Sequence, residues 1–151
     1  MVKYLDGVQQ VEMIAYPSGN QNVAISGTPT VNANQTASTT GGATINYTIS
    51  AASNNAKVVK SSAGQVYSVV ACNDGAAKCF VKLYNKTTTP TVGTDAPVMT
   101  FLVPPGASID IQLPVGISFS SGIGLAITGG IATADNTAVA LNQVAVSVHY
   151  K

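Results

Sequence analysis

Short runs rich in β-branched and aromatic residues, bounded by glycine, proline, asparagine or aspartate, recur along this chain at intervals of roughly eight to fifteen residues. The repeat of three and four positions that marks an amphipathic helix is missing from every segment. Such spacing is typical of strands in a sandwich or barrel. The pattern predicts an all-β domain, an antiparallel β-sandwich that is jelly-roll-like and has about eight to ten strands. The predicted strands are 8–16, 22–27, 43–51, 56–61, 65–72, 78–85, 97–103, 107–113, 123–128 and 143–150.

The clearest predicted hairpin lies in the sequence VYSVVACNDGAAKCFVKLYN. A four-residue loop at 74–77 would place Cys72 opposite Cys79, whereas a two-residue Asp74-Gly75 turn would place Cys72 opposite Ala77, and both turns stay open. In the first register one face is mostly apolar and is the predicted core side. That face consists of Val66, Ser68, Val70, Cys72, Cys79, Val81 and Leu83.

A second hairpin is predicted in VMTFLVPPGASIDIQL. Pro104 and Pro105 cannot continue a strand ladder, and Gly106 supplies a permissive turn. The returning strand alternates cleanly between apolar and polar positions, which predicts a sheet with one buried and one wet face. The apolar side holds Ile109, Ile111 and Leu113, and the polar side holds Ser108, Asp110 and Gln112.

The first third of the chain differs in composition from the rest. Residues 1–56 are interpreted as N-terminal strands or an arm joined to the same domain, and residues 57–151 as the sandwich core module. A polar, low-complexity stretch at 28–42 predicts a long surface loop or flexible arm. Residues 1–27 are more apolar, and they either belong to the domain or form an arm that docks on a neighbouring subunit. The candidate partner-contact residues are Val2, Tyr4, Leu5, Val8, Val11, Met13, Ile14 and Tyr16.

Charge is scarce in this chain. Charged residues make up 9% of the sequence and the formal net charge is +1, with seven basic residues, all of them lysine, scattered from Lys3 to Lys151. No basic patch is present to neutralise a phosphate backbone, so nucleic acid is not an expected partner. The longest apolar runs are too short to span a membrane, and the N-terminus lacks a secretory signal pattern, so we expect a chain made in the cytoplasm. Near-zero net charge favours association, which indicates an assembled protein.

Candidate catalytic chemistry is sparse. The single imidazole, His149, lies in an apparent strand, on the other face from Val144, Val146 and Val148 of the same strand. This alternation predicts that His149 is a polar-face strand residue rather than a catalytic base. The carboxylates Asp74, Asp95 and Asp135 lie in turn-like contexts in which an aspartate caps its own backbone. The others are Asp6, Glu12 and Asp110, and no spacing suggests a catalytic pair or a metal site. We therefore predict a protein that is not an enzyme and has no cofactor.

Glycine and cysteine give no stronger signal of chemistry. The glycines of SGIGLAITGG precede an apparent strand rather than a helix, which argues against a dinucleotide site. Cys72 and Cys79 could form a cross-strand disulfide in the first register above. The alternative is a pair of reduced thiols in the protein interior, which a cytoplasmic chain favours.

Residues 60–130 resemble a module of structural proteins from tailed bacteriophages. The motifs that carry the resemblance are SSAG at 61–64, VKLYNK at 81–86, PTVGTDAP at 90–97 and FSSGIGLAITGG at 119–130. They cover about half of the chain, and residues 1–50 lie outside them. The paired cysteines are not a feature of the module.

The resemblance implies a virion component. We expect a capsid decoration, or cement, protein on the capsid surface that bridges capsomers, contacts the major capsid protein and self-associates as a dimer or trimer. The single small domain, without a coiled-coil shaft, suits this role better than that of a fibre. The alternative is a receptor-binding or fibre- or tail-associated β module that recognises the host surface. Its sugar-stacking candidates are Tyr16, Tyr47, Tyr67, Tyr84 and Tyr150.

Overall fold

A computed structural model describes residues 3–5, 8–10 and 42–151 of the chain, and these residues form strands, turns and loops without a helix. The all-β prediction is therefore confirmed for the described part of the chain. The strands are β1 (Lys3–Leu5), β2 (Val8–Gln10), β3 (Thr44–Ile49), β4 (Lys57–Lys60), β5 (Gly64–Asn73), β6 (Cys79–Asn85), β7 (Met99–Val103), β8 (Ala107–Phe119), β9 (Ile123–Thr128) and β10 (Val144–Tyr150).

The chain divides into two compact units, Met1–Ala37 and Ser38–Lys151. In the first, β1 pairs antiparallel with β2, and Leu5 lies opposite Val8. The second holds two four-stranded antiparallel sheets with strand orders β3-β10-β5-β8 and β4-β9-β6-β7. We call them the β3 sheet and the β6 sheet. Because β3 hydrogen-bonds to β10, the unit that contains the two sheets begins before residue 57.

Both sheets contribute to a single hydrophobic cluster. The β3 sheet supplies Val66, Val69, Val144, Val146, Val148 and Phe119, and the β6 sheet supplies Cys79, Val81, Leu83, Ile123, Leu125 and Ile127. Each of these side chains is fully shielded from solvent, which removes the apolar half of both sheets from water. Ile109, Ile111 and Leu113 are partly buried against this cluster, as their alternation predicts.

Neither predicted hairpin forms. β5 pairs with β10 and β8, whereas β6 pairs with β9 and β7, so these consecutive strands lie in different sheets. β7 and β8 are likewise divided between the two sheets. Gly106 does adopt the left-handed conformation that a turn requires, with φ at 61°. A turn of this kind reverses the chain equally well within a sheet and between sheets, so local sequence could not distinguish the two outcomes.

The predicted core face of β5 is wrong beyond Val66. The register of β5 shifts between Val66 and Ser68 against both β8 and β10, and this irregularity moves the following residues to the opposite face. Val69 and Ala71 therefore enter the core, while Cys72 is exposed. On β6 the predicted core residues Cys79, Val81 and Leu83 are all buried.

Candidate interaction surface

The two sheets differ in how their outer faces are covered. On β6, Phe80, Lys82 and Tyr84 point away from the shared core, yet all three are buried. The β6–β7 connection covers part of this face: a Cβ added at Gly124 would come within 2.6 Å of the Pro90 ring. The β9–β10 connection covers another part. The chain's own loops thus close the outer face of the β6 sheet over β6, whereas Leu102 of β7, opposite Phe80, stays 49% exposed.

Lys82 fastens the β9–β10 connection to the sheet. Its Nζ donates hydrogen bonds to the carbonyl oxygens of Ala132, at 2.8 Å, and Asp135, at 3.1 Å. Burial lowers the pKa of Lys82, and the nearby charge of Asp135 opposes that change. This lysine is engaged in holding a loop and is not presented to a ligand.

Aspartates cap two of the turns that cover the β6 sheet, as predicted. Asp135 Oδ1 accepts from the Gly130 and Thr137 N–H groups, both at 3.1 Å. Burial would raise the pKa of Asp135, but these hydrogen bonds and the charge of Lys82 hold it below its usual range. Asp95 accepts from the Thr91 N–H at 2.6 Å and pairs with Lys86.

At the turn that contains Asp74, the cap comes from the neighbouring residue instead. Asn73 Oδ1 accepts from the Gly75 N–H at 3.0 Å. The amide therefore performs the role that the sequence assigned to the aspartate.

The outer face of the β3 sheet is open and begins with an apolar stripe on β3. Ile45, Tyr47 and Ile49 point outward and are 62%, 59% and 52% exposed. We call these three residues the apolar stripe. They lie opposite His149, Ser147 and Ala145 of β10, respectively.

β3 turns its polar side chains toward the core and its apolar side chains toward solvent. Asn46 and Thr48 lie opposite Val148 and Val146, whose side chains are in the core, so the polar half of β3 faces inward. Thr48 Oγ1 accepts a hydrogen bond from Lys57 Nζ at 3.2 Å, which satisfies that polar group at the rim of the two sheets. A strand with one buried face normally turns its apolar side inward. The reversal leaves the apolar side of β3 exposed to solvent.

The rest of this face carries little charge. After β10, the next rows hold Ser68, Val70 and Cys72 on β5 and Ser108, Asp110 and Gln112 on β8. Asp110 is the one carboxylate in these rows, and it lies at the edge far from the apolar stripe. His149 lies beside Ser68, with its Nδ1 against the hydroxyl, while Val144, Val146 and Val148 are buried. The predicted facing of β10 is confirmed.

The four edges of the two four-stranded sheets are protected to different degrees. β4 is short, carries Lys57 and Lys60 and has a register shift. β8 carries Asp110 and Pro114, and β7 is followed directly by two prolines. Charges, prolines and irregular strands are the usual devices that prevent unwanted pairing at an edge. β3 has none of them.

Within residues 3–5, 8–10 and 42–151, no group of three or more His, Cys, Asp or Glu residues could hold a metal ion. An open depression of about 430 Å³ between loops 74–77 and 140–143 has one charged side chain, Asp74, in its lining. In the same described residues there is no helix that could cross a membrane.

The two cysteines lie on different sheets. Cys72 pairs with Ser108 and Ala145, and Cys79 pairs with Val103, so the register that would place the cysteines opposite each other is wrong. Both thiols are free, Cys72 exposed and Cys79 buried. Burial raises the pKa of the Cys79 thiol to about 11.

This difference in exposure predicts the reactivity of the thiols. Under native conditions at pH 8, an aromatic disulfide reagent should label Cys72 within minutes and leave Cys79 unlabelled, because the nucleophile is the exposed thiolate. In denaturant Cys79 should become accessible and react with a second equivalent of the reagent. The variant Cys72→Ser is the control and should show no rapid phase. Labelling of neither thiol before reduction would instead indicate a disulfide.

The N-terminal candidate residues fall largely outside the described part of the chain. Tyr4, Leu5 and Val8 lie on β1 and β2. Val2, Val11, Met13, Ile14 and Tyr16 lie outside the described residues, as do Asp6, Glu12, the predicted strand 22–27 and all but the last residue of the 28–42 stretch.

Comparison with protein-family models, with curated proteins and with solved structures gives no match for this chain. The apolar stripe is the candidate interaction surface whose exposure sequence reasoning missed. Its signal was the strict alternation TINYTI, which marks a strand but does not say which side faces inward.

Proposed function

We propose that this protein is a structural component of a tailed-bacteriophage virion, a capsid decoration protein that stabilises the assembled head by bridging capsomers. The observation that carries the proposal is the open outer face of the β3 sheet, which presents the apolar stripe and has Asp110 as the one carboxylate in its rows. Contacts made by such a face depend little on salt, which suits a permanent lattice. The resemblance of residues 60–130 to phage structural modules points in the same direction.

We also infer that the second unit is a jelly roll. Its strand orders are β3-β10-β5-β8 and β4-β9-β6-β7. In each sheet, strands from the first half of the unit, β3 to β6, alternate with strands from the second half, β7 to β10. This winding of eight strands into two facing sheets corresponds to two Greek keys. Viral capsid domains are among the proteins that use this architecture, and lectins are others.

The mechanism would be additive. Each copy contacts the major capsid protein over a surface on the order of 800 Å² per partner. Because many copies bind one shell, their modest individual binding free energies add up to a large stabilisation of the shell. The protein would be made in the host cytoplasm and then bind the capsid surface. No catalytic step is part of this role.

Purified shells test the proposal directly. Shells with the protein bound should rupture at a higher temperature, or withstand a larger osmotic shock, than shells without it. A matched preparation with an unrelated protein of similar size controls for crowding. Equal rupture points would contradict the cement role.

Recognition of the host surface is the second candidate, and the exposure of Tyr47 favours it, because sugars stack on exposed aromatic rings. Tyr84 is buried and is not available for stacking. Saturable binding of the purified protein to host cells, lost in Tyr47→Ala, would support this role over the first.

A further inference from the structure

The unpaired backbone groups of β3 belong to the same residues as the apolar stripe. Directly opposed residues in an antiparallel pair alternate between those that exchange hydrogen bonds and those that do not. The Ser50 N–H donates to the Val144 carbonyl at 2.8 Å, which continues the β3–β10 register. By this alternation Thr44, Asn46 and Thr48 bond to β10. The N–H and C=O groups of Ile45, Tyr47 and Ile49 therefore point away from β10, toward an edge on which no described strand pairs.

This edge suits an antiparallel copy of itself. In a two-fold arrangement with Tyr47 opposite Tyr47 of the second copy, Ile45 falls opposite Ile49 in both directions. Each residue of the apolar stripe then donates one and accepts one backbone hydrogen bond. The two stripes lie on the same side of the joined sheet, where cross-strand apolar and aromatic pairs stabilise the contact.

Charge also favours a second copy as the occupant. Residues 42–56 contain no charged side chain, and the net charge of the chain is +1, so two copies meet without repulsion at this edge. The two-fold contact is self-complementary, since the same patch serves on both subunits.

We propose that two copies of this chain associate through β3, edge to edge and antiparallel, about a two-fold axis that passes beside Tyr47. The β3 sheets of the two copies become one continuous sheet, and the apolar stripes merge across the axis. The pairing concerns copies of this chain alone and does not depend on a virion role. Its test uses the purified chain, so its failure is distinguishable from a failure of the shell experiment.

Sedimentation of the full chain tests the pairing. The wild-type protein should be a dimer at about 100 µM, a concentration at which contacts of micromolar affinity are populated. Tyr47→Lys and Tyr47→Glu should each be monomeric, with the dissociation constant raised at least 100-fold, because each places like charges face to face at the axis. An equimolar mixture of the two variants should dimerise again, since lysine then faces glutamate.

Val115→Lys is the matched control. Val115 is 87% exposed on β8, at the opposite edge of the same sheet, and this variant should dimerise as the wild type does. Unchanged far-UV circular dichroism and melting temperature would show that the Tyr47 variants fold. A wild-type monomer, a trimer, a dimer that survives Tyr47→Lys, or a mixture that stays monomeric would each overturn the two-fold β3 pairing.

Discussion

Replacing Lys82 with alanine is expected to lower the free energy of unfolding by about 2–4 kcal/mol, a loss comparable to that for large apolar core residues. The side chain is fully buried, and its ammonium holds the carbonyl oxygens of Ala132 and Asp135. Alanine leaves these acceptors without their donor and opens a cavity beneath the β9–β10 connection. The substitution also removes the free-energy cost of burying the Lys82 ammonium away from water, which offsets part of this loss. Urea unfolding followed by circular dichroism measures the change.

Two further variants separate the contributions. Lys82→Met keeps most of the side-chain volume without the donor, so it should cost less than Lys82→Ala, and the difference reports the cavity. Lys78→Ala removes an exposed lysine four residues away whose ammonium lies 6.0 Å from the centre of the Phe80 ring, and it should lower the free energy of unfolding by no more than about 1 kcal/mol. If Lys82→Ala were as stable as the wild type, Lys82 would not be the anchor of the loop.

Replacing Asn73 with alanine should be similarly costly, at about 2–4 kcal/mol, with the melting temperature lowered by roughly 10 °C. This side chain is fully buried. Its Nδ2 donates to the carbonyls of Ala77, at 2.8 Å, and Val103, at 3.2 Å, while its Oδ1 accepts from the Gly75 N–H and from Gln143. One amide thus joins the β5–β6 turn to the end of β7 and to the β9–β10 connection.

Asn73→Asp tests whether the donor matters. Aspartate keeps the two acceptor interactions but brings a charge toward the carbonyls of Ala77 and Val103, so at pH 7 it should destabilise at least as much as alanine. Asn136→Ala, at an exposed position, is the control and should be within about 0.5 kcal/mol of wild type. Thermal unfolding of the three variants provides the comparison. If Asn73→Ala had the same melting temperature as the wild type, Asn73 would not stabilise the fold by joining these three segments.

Sequence patterns predicted the local features of this fold well. Alternation identified β10, with Val144, Val146 and Val148 inward, because a strand repeats every two residues. It likewise placed Ile109, Ile111 and Leu113 toward the core. Turn chemistry identified Asp95 and Asp135 as backbone caps, because an aspartate bonds to amides only a few residues away.

Features that depend on distant partners were not predictable in the same way. Lys82 alternates with core residues and so lies on an outer face, yet a loop some fifty residues later in the chain buries it. The facing of β5 changed between Val66 and Ser68, where its register shifts against both neighbouring strands, β8 and β10.

By itself, the sequence determined the strand-forming segments, the turns and the low charge of this protein, because these depend on neighbours along the chain. Only the tertiary structure decided that β5 and β6 separate into two sheets and that β3 presents its apolar side to solvent. The physical reason is that a strand's alternation defines two faces, while the choice of which face is buried belongs to the strands and sheet that pack against it. The apolar stripe of Ile45, Tyr47 and Ile49 arises from that choice.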